Sequence, residues 1–215
     1  MKMMSKINIF GLAVSVLFFL RCCGNLYAEN IDPYDANNQY VWGENVGWIN
    51  FEPNTGDGVQ VASDKLLGWI WADNIGWISL SCENTSSCAA VNYGVTNNGK
   101  GKLSGCAWGE NVGWVNFDPN VLGEANDYGV TIDGDGNFDG FAWGENIGWI
   151  NFGISNYHVV ACKVTFGDLA NFVDDWLDSG PVAGNLDSTG YVDFHDYGIF
   201  ASYWLDYCPD SWPLK

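Results

Sequence analysis

The chain has 215 residues and a formal net charge of −18, from 8 basic and 26 acidic side chains. Such a surface repels phosphate backbones and anionic lipid heads, which argues against nucleic acid and membranes as partners and makes cations natural ones. The acidity does not signal disorder, because 12 Trp, 10 Tyr and 12 Phe supply ample apolar area for a core.

At the start, Lys2 and Lys6 precede the apolar run "INIFGLAVSVLFFL", which ends at Leu20 and is too short to span a bilayer. This is the layout of a signal peptide over residues 1–28, with cleavage after the small residue Ala28. Arg21, directly before Cys22, argues against a lipoprotein signal. No later segment is long and apolar enough for a transmembrane helix, so the mature chain is expected to have no membrane span and to be secreted or held at the cell surface. Removing residues 1–28 takes away Lys2, Lys6 and Arg21 and no acid, so the mature chain is more acidic still. Five cysteines remain, Cys82, Cys88, Cys106, Cys162 and Cys208, in a compartment where disulfides persist. Cys82 and Cys88 bracket the short loop "CENTSSC" and form the best candidate pair. A zinc site is disfavoured, since nearby histidine ligands are missing.

Residues 29–160 are built on repetition. The phrase "WGENVGWINF" begins at Trp42, and variants begin at Trp71, Trp108 and Trp143. An apolar stretch precedes each first tryptophan, and a β-branched residue follows each "GW", as strands require. The "GENVG" between them, with two glycines and an asparagine able to take positive φ, reads as a hairpin loop. A third strand follows in each unit: "GVQV" from Gly58, "YGVT" from Tyr93, "YGVT" from Tyr128 and "YHVV" from Tyr157. His158 stands where the other units have glycine, which argues for an ordinary strand residue rather than a catalytic base. Alternation puts Tyr40 and Trp42 on one face and Val41 on the other, and both faces are apolar, so each small sheet is expected to be covered on both sides by its neighbours. The expected fold is mainly β with a small α module at the C-terminus: four three-stranded β repeats in a closed pseudo-fourfold ring, propeller-like or a shallow barrel.

Paired tryptophans can serve such a fold simply by burial. The sharper reading is that Trp42, Trp48, Trp71, Trp77, Trp108, Trp114, Trp143 and Trp149 bind a ligand, as platforms for sugar rings, with Glu44, Asp73, Glu110, Glu145 and Asn45, Asn74, Asn111, Asn146 bonding hydroxyls. Repetition suits a polymer. The phrases resemble the tandem "AWGENIGWINF" repeats of bacterial secreted proteins, a resemblance covering residues 40–160 and implying secretion and repetition.

From residue 161 to 215 the periodicity becomes helical. "FGDLANFVDDWL" carries Phe166, Leu169, Phe172, Val173 and Trp176 at helix-face spacing, and the pattern returns as "FHDYGIFASYWL", with Val164 matching Val192 and Trp176 matching Trp204. Before the second helix, "NLDSTGYVDFHD" fits a twelve-residue calcium loop, with ligands Asn185, Asp187, Thr189, the Tyr191 carbonyl, Asp193 and Asp196 and a sharp turn at Gly190. Ca2+ is therefore the expected cofactor. A second acidic run, "DGDGNFD" from Asp133, also alternates oxygen ligands, but its counterpart "NGKGKLS" points to a Gly-rich hairpin turn. The segment at about 160–208 resembles a type I dockerin, the duplicated calcium-loop-and-helix module that docks onto cohesins. That resemblance implies a cohesin-like protein partner, read at Phe166, Gly167, Phe194 and His195. The first copy has lost its loop, with Tyr157, Val159 and Ala161 where ligands would stand, and a Cys162–Cys208 disulfide would clip the module in place of the first ion.

No nucleophile elbow, phosphate-cradling loop or histidine pair of a metal hydrolase is present. The sequence reads as a non-catalytic protein that binds a polysaccharide or cell-surface glycan. The alternatives are a structural or adhesive surface component with buried tryptophans, and a glycoside hydrolase using one acidic pair.

Overall fold

The computed structural model describes residues 30–55, 58–119, 128–154, 156–209 and 212–215. The signal peptide expected over 1–28 lies outside them. Unit one supplies β1 (Tyr40–Gly43), β2 (Gly47–Asn50) and β3 (Gln60–Val61), and unit two β4 (Leu66–Leu67), β5 (Trp69–Ala72), β6 (Gly76–Ser79) and β7 (Val95–Asn97). Unit three gives β8 (Leu103–Gly109), β9 (Gly113–Asn116) and β10 (Thr131–Ile132), and unit four β11 (Phe138–Asp139), β12 (Phe141–Gly144) and β13 (Gly148–Asn151).

The four hairpins close into one antiparallel barrel of eight strands, in the order β1, β2, β5, β6, β8, β9, β12, β13 and back to β1. Every junction uses the same register. The first tryptophan of each unit lies opposite a polar residue of the preceding unit: Trp42 with Asn151, Trp71 with Asn50, Trp108 with Ser79 and Trp143 with Asn116. The interior of an eight-stranded barrel is narrow enough for its own side chains to fill. Val41, Ile49, Ile70, Ile78, Ala107, Val115, Ala142 and Ile150 fill it and are buried. Phe51, Leu80, Phe117 and Phe152 close one end, with ring centroids 5.7 Å apart for Phe51 and Phe152 and 5.8 Å for Phe117 and Phe152.

The repeated loop closes the other end. In unit one, Val46 N–H donates to the Gly43 carbonyl at 3.3 Å and Gly47 follows at φ 79°, the three-residue hairpin loop that ends in a left-handed residue. Val46, Val112 and Ile147 turn inward as a floor. Each loop asparagine then reaches the loop of the preceding unit. Asn45 Nδ2 donates to Ile147 O (3.1 Å), Asn74 to Val46 O (3.1 Å), Asn111 to Ile75 O (2.9 Å) and Asn146 to Val112 O (3.0 Å). These four bonds form a complete circuit around the barrel end.

Two expectations change. Each third segment pairs with the lead-in to the next hairpin, β3 with β4, β7 with β8, β10 with β11, and Val159 with Gln39, while Val59, Val95 and Val130 also donate to Phe51, Leu80 and Phe117 at the end of their own hairpins. Four separate units of three strands are not shown, since the third segments stitch neighbouring hairpins together over the barrel mouth. The outer sheet face is not covered by another sheet either. It carries the tryptophans, which pair across each hairpin, Trp42 on Trp48 at 4.9 Å, Trp71 on Trp77 at 4.8 Å, Trp108 on Trp114 at 4.6 Å and Trp143 on Trp149 at 4.8 Å.

The C-terminal segment holds α1 (Phe166–Asp174) and α2 (Phe194–Ser202), each opened by a capping box, Thr165 with Asp168 and Asp193 with Asp196. The duplication is visible in their packing. Phe172 stacks on Phe200 at 5.2 Å, Phe166 packs on Trp204 at 5.0 Å, and Trp176 packs reciprocally on Phe194 at 5.3 Å. Both expected disulfides form, Cys82–Cys88 and Cys162–Cys208, while Cys106 is free. The second of them spans 46 residues. By chain entropy it stabilises the fold by about 4 kcal/mol. Tyr207 joins the barrel core, its hydroxyl accepting from Asn97 Nδ2 at 3.1 Å, so the helix pair is seated on the barrel mouth. No helix among the described residues is long and apolar enough to cross a membrane.

The loop geometry carries a packing test. A Cβ at Gly109 would stand 2.7 Å from Val112 Cγ2 and 3.0 Å from Ile78 Cγ1. Unit two has Ala72 at this position, and there Ile75 is only partly buried. Gly109→Ala is expected to destabilise the protein by about 1–3 kcal/mol. In Gly109→Ala/Val112→Ala the two costs should not add, and urea unfolding of the four-member cycle measures the coupling.

Candidate functional site

The eight candidate tryptophans do not converge on one point, because four hairpins carry them around the whole barrel. Trp42, Trp48, Trp108, Trp114 and Trp143 are 36% to 44% exposed, and Trp71, Trp77 and Trp149 are half-buried. Their surroundings differ by unit. In three units the second tryptophan is packed by a tyrosine from the preceding unit's third segment: Tyr157 on Trp48 at 4.6 Å, Tyr93 on Trp114 at 5.4 Å and Tyr128 on Trp149 at 6.0 Å. For Trp77 the matching residue in the sequence is Asp57, since "DGV" stands where the others have "YGV" or "YHV".

A groove of about 960 Å³ lies beside Trp77, between the second and third hairpins. Trp69, Trp77, Trp108, Trp114 and Tyr93 give it aromatic walls, and Ser79, Thr85, Ser87, Glu110 and Asn111 supply polar groups. One wall belongs to the segment closed by Cys82–Cys88. There a 3-10 turn over Cys82–Thr85 is capped by Ser81, whose Oγ accepts from Glu83 N–H at 3.1 Å. Thr85 Oγ1 donates to Ser87 Oγ at 2.8 Å, which fixes two hydroxyls on that wall. The volume is at the upper end of the range for small-molecule sites, and large rings with a few placed polar groups are the usual chemistry of a binding cleft.

Of the predicted platforms, the groove gathers Trp77, Trp108 and Trp114 and leaves Trp42, Trp48, Trp71, Trp143 and Trp149 elsewhere on the barrel. Trp69 and Tyr93 were not among the candidates. The braced insertion between Ser79 and Tyr93, present in one unit only, was the available signal. The asparagines expected to bond hydroxyls use their amide N–H groups to clasp neighbouring loops, and Asn111 also lines the groove. Trp71 Nε1 donates to Asp73 at 3.0 Å, so that acid too has a partner within the fold.

The predicted metal ligands sit in one loop before α2. Asn185 Nδ2 donates to Gly180 O at 3.1 Å, while Asn185 Oδ1 is the one buried side-chain oxygen or nitrogen without a hydrogen-bond partner among the described residues. Asp187 Oδ1 accepts from Thr189 N and Oγ1, both at 2.8 Å. Asp193 Oδ1 caps His195 N–H at 2.7 Å. Gly190 has φ 63°, as the sharp turn requires. Asp196 is fully buried, taking Asp187 N–H on one oxygen at 3.0 Å and Asp193 N–H on the other at 2.9 Å. Burial works against its charge, but the backbone N–H groups of Asp187, Asp193 and Leu186 outweigh this and hold its carboxyl below the ordinary aspartate value. An unpartnered buried amide oxygen, carboxylates and a hydroxyl in one loop are the hard oxygen donors that suit calcium. No three His, Cys, Asp or Glu side chains converge among the described residues.

In the first copy Asp168 is the counterpart of Asp196. One of its oxygens accepts from Thr165 N–H at 2.8 Å, and the other accepts from Trp212 Nε1 at 2.8 Å. The residues that would have formed the first loop belong to the barrel: Val159 bridges Gln39, Val160 bridges Asn137 and Ala161 bridges Ile31. His158, half-buried in the same segment, and His195, exposed at the start of α2, stand apart from the groove. In the second acidic run, Asp133 Oδ1 accepts from Asp135 N, Asn137 N and Asn137 Nδ2, the arrangement of a side-chain-stabilised turn.

No known family, curated protein or solved structure matches the chain.

Acid should loosen the helix pair through Asp196. Its folded value is depressed, so the stability it contributes is complete above the unfolded aspartate range and is lost as pH falls through the folded value. Asp196→Asn is expected to be less stable at neutral pH and to lack this part of the acid loss. Thermal melts of the two proteins from pH 7 down to pH 2 measure the difference, in which the similar contribution of Asp133 cancels.

Proposed function

We propose that the protein is an exported, non-catalytic binding module that holds a polysaccharide in the groove between the second and third hairpins and joins a larger extracellular assembly through its helix pair. The observation that carries the reading is the groove itself, an open hollow lined by five aromatic rings from two hairpins, whereas at Trp48 and Trp149 the neighbouring rings pack on one another. A sugar ring presents a flat array of C–H groups with hydroxyls at its rim. Indole faces cover the first while Thr85, Ser87 and Glu110 reach the second. Hydrolysis is a weaker reading, since glycosidases need two carboxylates across the scissile bond and Glu110 is the only acid among the lining residues. Two disulfides support export, because such bonds persist in oxidising compartments.

The assembly half of the proposal rests on the helix pair. Phe166 and Phe194, related by the duplication, are 73% and 79% exposed, a strongly apolar pair on a small module and a fit for a cohesin-like protein surface. Calcium bound by Asn185, Asp187, Thr189, the Tyr191 carbonyl, Asp193 and Asp196 would neutralise the carboxylates of this loop and hold it against α2.

Affinity electrophoresis through gels containing soluble polysaccharides tests the groove. Retardation by one polymer is expected, with Trp77→Ala and Trp108→Ala each weakening it by roughly 30-fold, the effect of truncating a central aromatic anchor. Trp143→Ala, away from the groove, should change little. Unaltered retardation in both groove variants would count against the site.

A calorimetric comparison with and without chelator addresses the ion. Calcium is expected to raise the melting temperature of the helix pair, and Asn185→Ala to reduce that rise. A melt indifferent to calcium in the wild-type protein would remove the ion from the proposal.

A further inference from the structure

We propose that the groove does not end at Tyr93 and Trp114 but continues past them into a second depression, so that its ligand is an internal stretch of a linear, uncharged glycan chain. The inference rests on the glycan reading of the groove and extends it to the shape and charge of the polymer.

The outer face of each hairpin has one more position in line with its two tryptophans, occupied by Tyr40, Trp69, Cys106 and Phe141. In unit one Tyr40 packs on Trp48 at 6.4 Å, and in unit four Phe141 packs on Trp149 at 6.0 Å. Unit three has the small Cys106 there. The corresponding flank of Trp114 therefore lacks a ring from its own hairpin, and a depression of about 770 Å³ lies along it, lined by Cys106, Trp114, Tyr93, Asn92, Thr96 and Lys65 among others. Tyr93 and Trp114 line both hollows, so the two are neighbours across one aromatic ridge. The same braced segment overlooks both, with Thr85 and Ser87 on the first and the Cys82–Cys88 bond on the second. Two hollows that share an aromatic ridge and a rigid wall suit a chain laid across the ridge, with sugars on both sides of it.

Charge narrows the polymer. The first hollow has one charged residue, Glu110, and in the second Lys65 is paired with Glu83 at 2.8 Å. Neither hollow offers an unpaired cation to an acidic sugar, and the protein as a whole carries −18. A uronic-acid polymer would be repelled, and a neutral chain would not.

The test uses the mature protein with cello-, xylo- and manno-oligosaccharides from disaccharide to hexasaccharide, and polygalacturonate as the acidic control. Affinity for one neutral series is expected to rise about tenfold from trisaccharide to hexasaccharide. Cys106→Phe, which restores the ring found in unit four, should cancel that gain and leave trisaccharide binding unchanged. A second readout needs no variant: alkylation of Cys106 by iodoacetamide, followed by mass on its peptide. Burial raises the thiol pKa, so labelling is carried out in alkaline buffer. Saturating hexasaccharide should slow it several-fold, and trisaccharide should not. If a neutral series binds in a Trp77-dependent way with no gain from length and no protection of Cys106, the continuation is wrong and the groove reading survives. If polygalacturonate binds as tightly as the neutral chains, the charge argument fails. If none of these sugars binds, the groove reading falls and the continuation with it.

Discussion

Closure of an eight-stranded barrel around nothing but its own side chains governs the rest of this molecule. The interior of such a barrel is narrow, so its inward positions accept Val, Ile and Ala and exclude indole. The tryptophans are forced outward, where each cross-strand pair still contributes about 0.5–1.5 kcal/mol beyond the area it buries. Ends must be sealed as well, and each hairpin loop does so by tucking one β-branched residue inward and handing its asparagine to the neighbouring loop. The acceptors are backbone carbonyls that every loop presents, which lets the clasp repeat around the circuit without depending on the side chain at the acceptor residue.

An outer belt of rings is thus a consequence of closure before it is a device for binding. What opens a groove in one sector of it is the failure of fourfold symmetry. Tyrosines from the third segments pack against Trp48, Trp114 and Trp149, and at Trp77 the series is interrupted in the sequence. The neighbouring hairpin has Cys106 where an aromatic ring would repeat, and the only disulfide within the repeats braces the segment between the two. These departures fall in adjacent units and line adjacent hollows. Symmetric positions serve the fold, and the asymmetric ones leave the open hollows that the proposed reading assigns to a ligand.

Local features of this fold were legible in the chain. The hairpins, their glycine-ended loops, the Cys82–Cys88 disulfide and the duplicated helices follow from short-range spacing, whereas the Cys162–Cys208 pairing, 46 residues apart, was suggested only by the resemblance to a dockerin. The choice of inner face was not legible, since Val41 and Trp42 both belong to apolar rows and alternation alone cannot rank them. Volume ranks them, and volume matters only once the strand number is known. The pairing of each third segment with the next unit was hidden for a related reason: "YGVT" has strand composition whichever edge it joins. The clasp made by Asn45 and its equivalents was hidden because an exposed amide beside tryptophan has the same appearance in a sequence whether it meets a sugar or a carbonyl of its own fold. Trp69 and Tyr93 were missed because the groove is made by two hairpins together, and the sequence displays each hairpin alone.

The helix pair shows how one stretch of chain is divided between two demands. Residues 159–161 are needed as the last edge that closes the tier of third segments, and oxygen ligands there would have left Val159 and Ala161 unable to fill the barrel core. This segment therefore serves the barrel, and the start of α1 is held by other means. Trp212 supplies the indole N–H that Asp168 accepts, and Cys162–Cys208 ties the start of the module to its end. The second loop had no such conflict, and it alone keeps an unpartnered amide oxygen among its acceptors. In the proposed reading an ion would act on α2 while α1 is already held by a covalent bond and by the barrel. Because Phe172 stacks on Phe200, order gained by α2 is passed to α1 through the centre of the pair, so a single site can set the geometry of both exposed phenylalanines, Phe166 and Phe194.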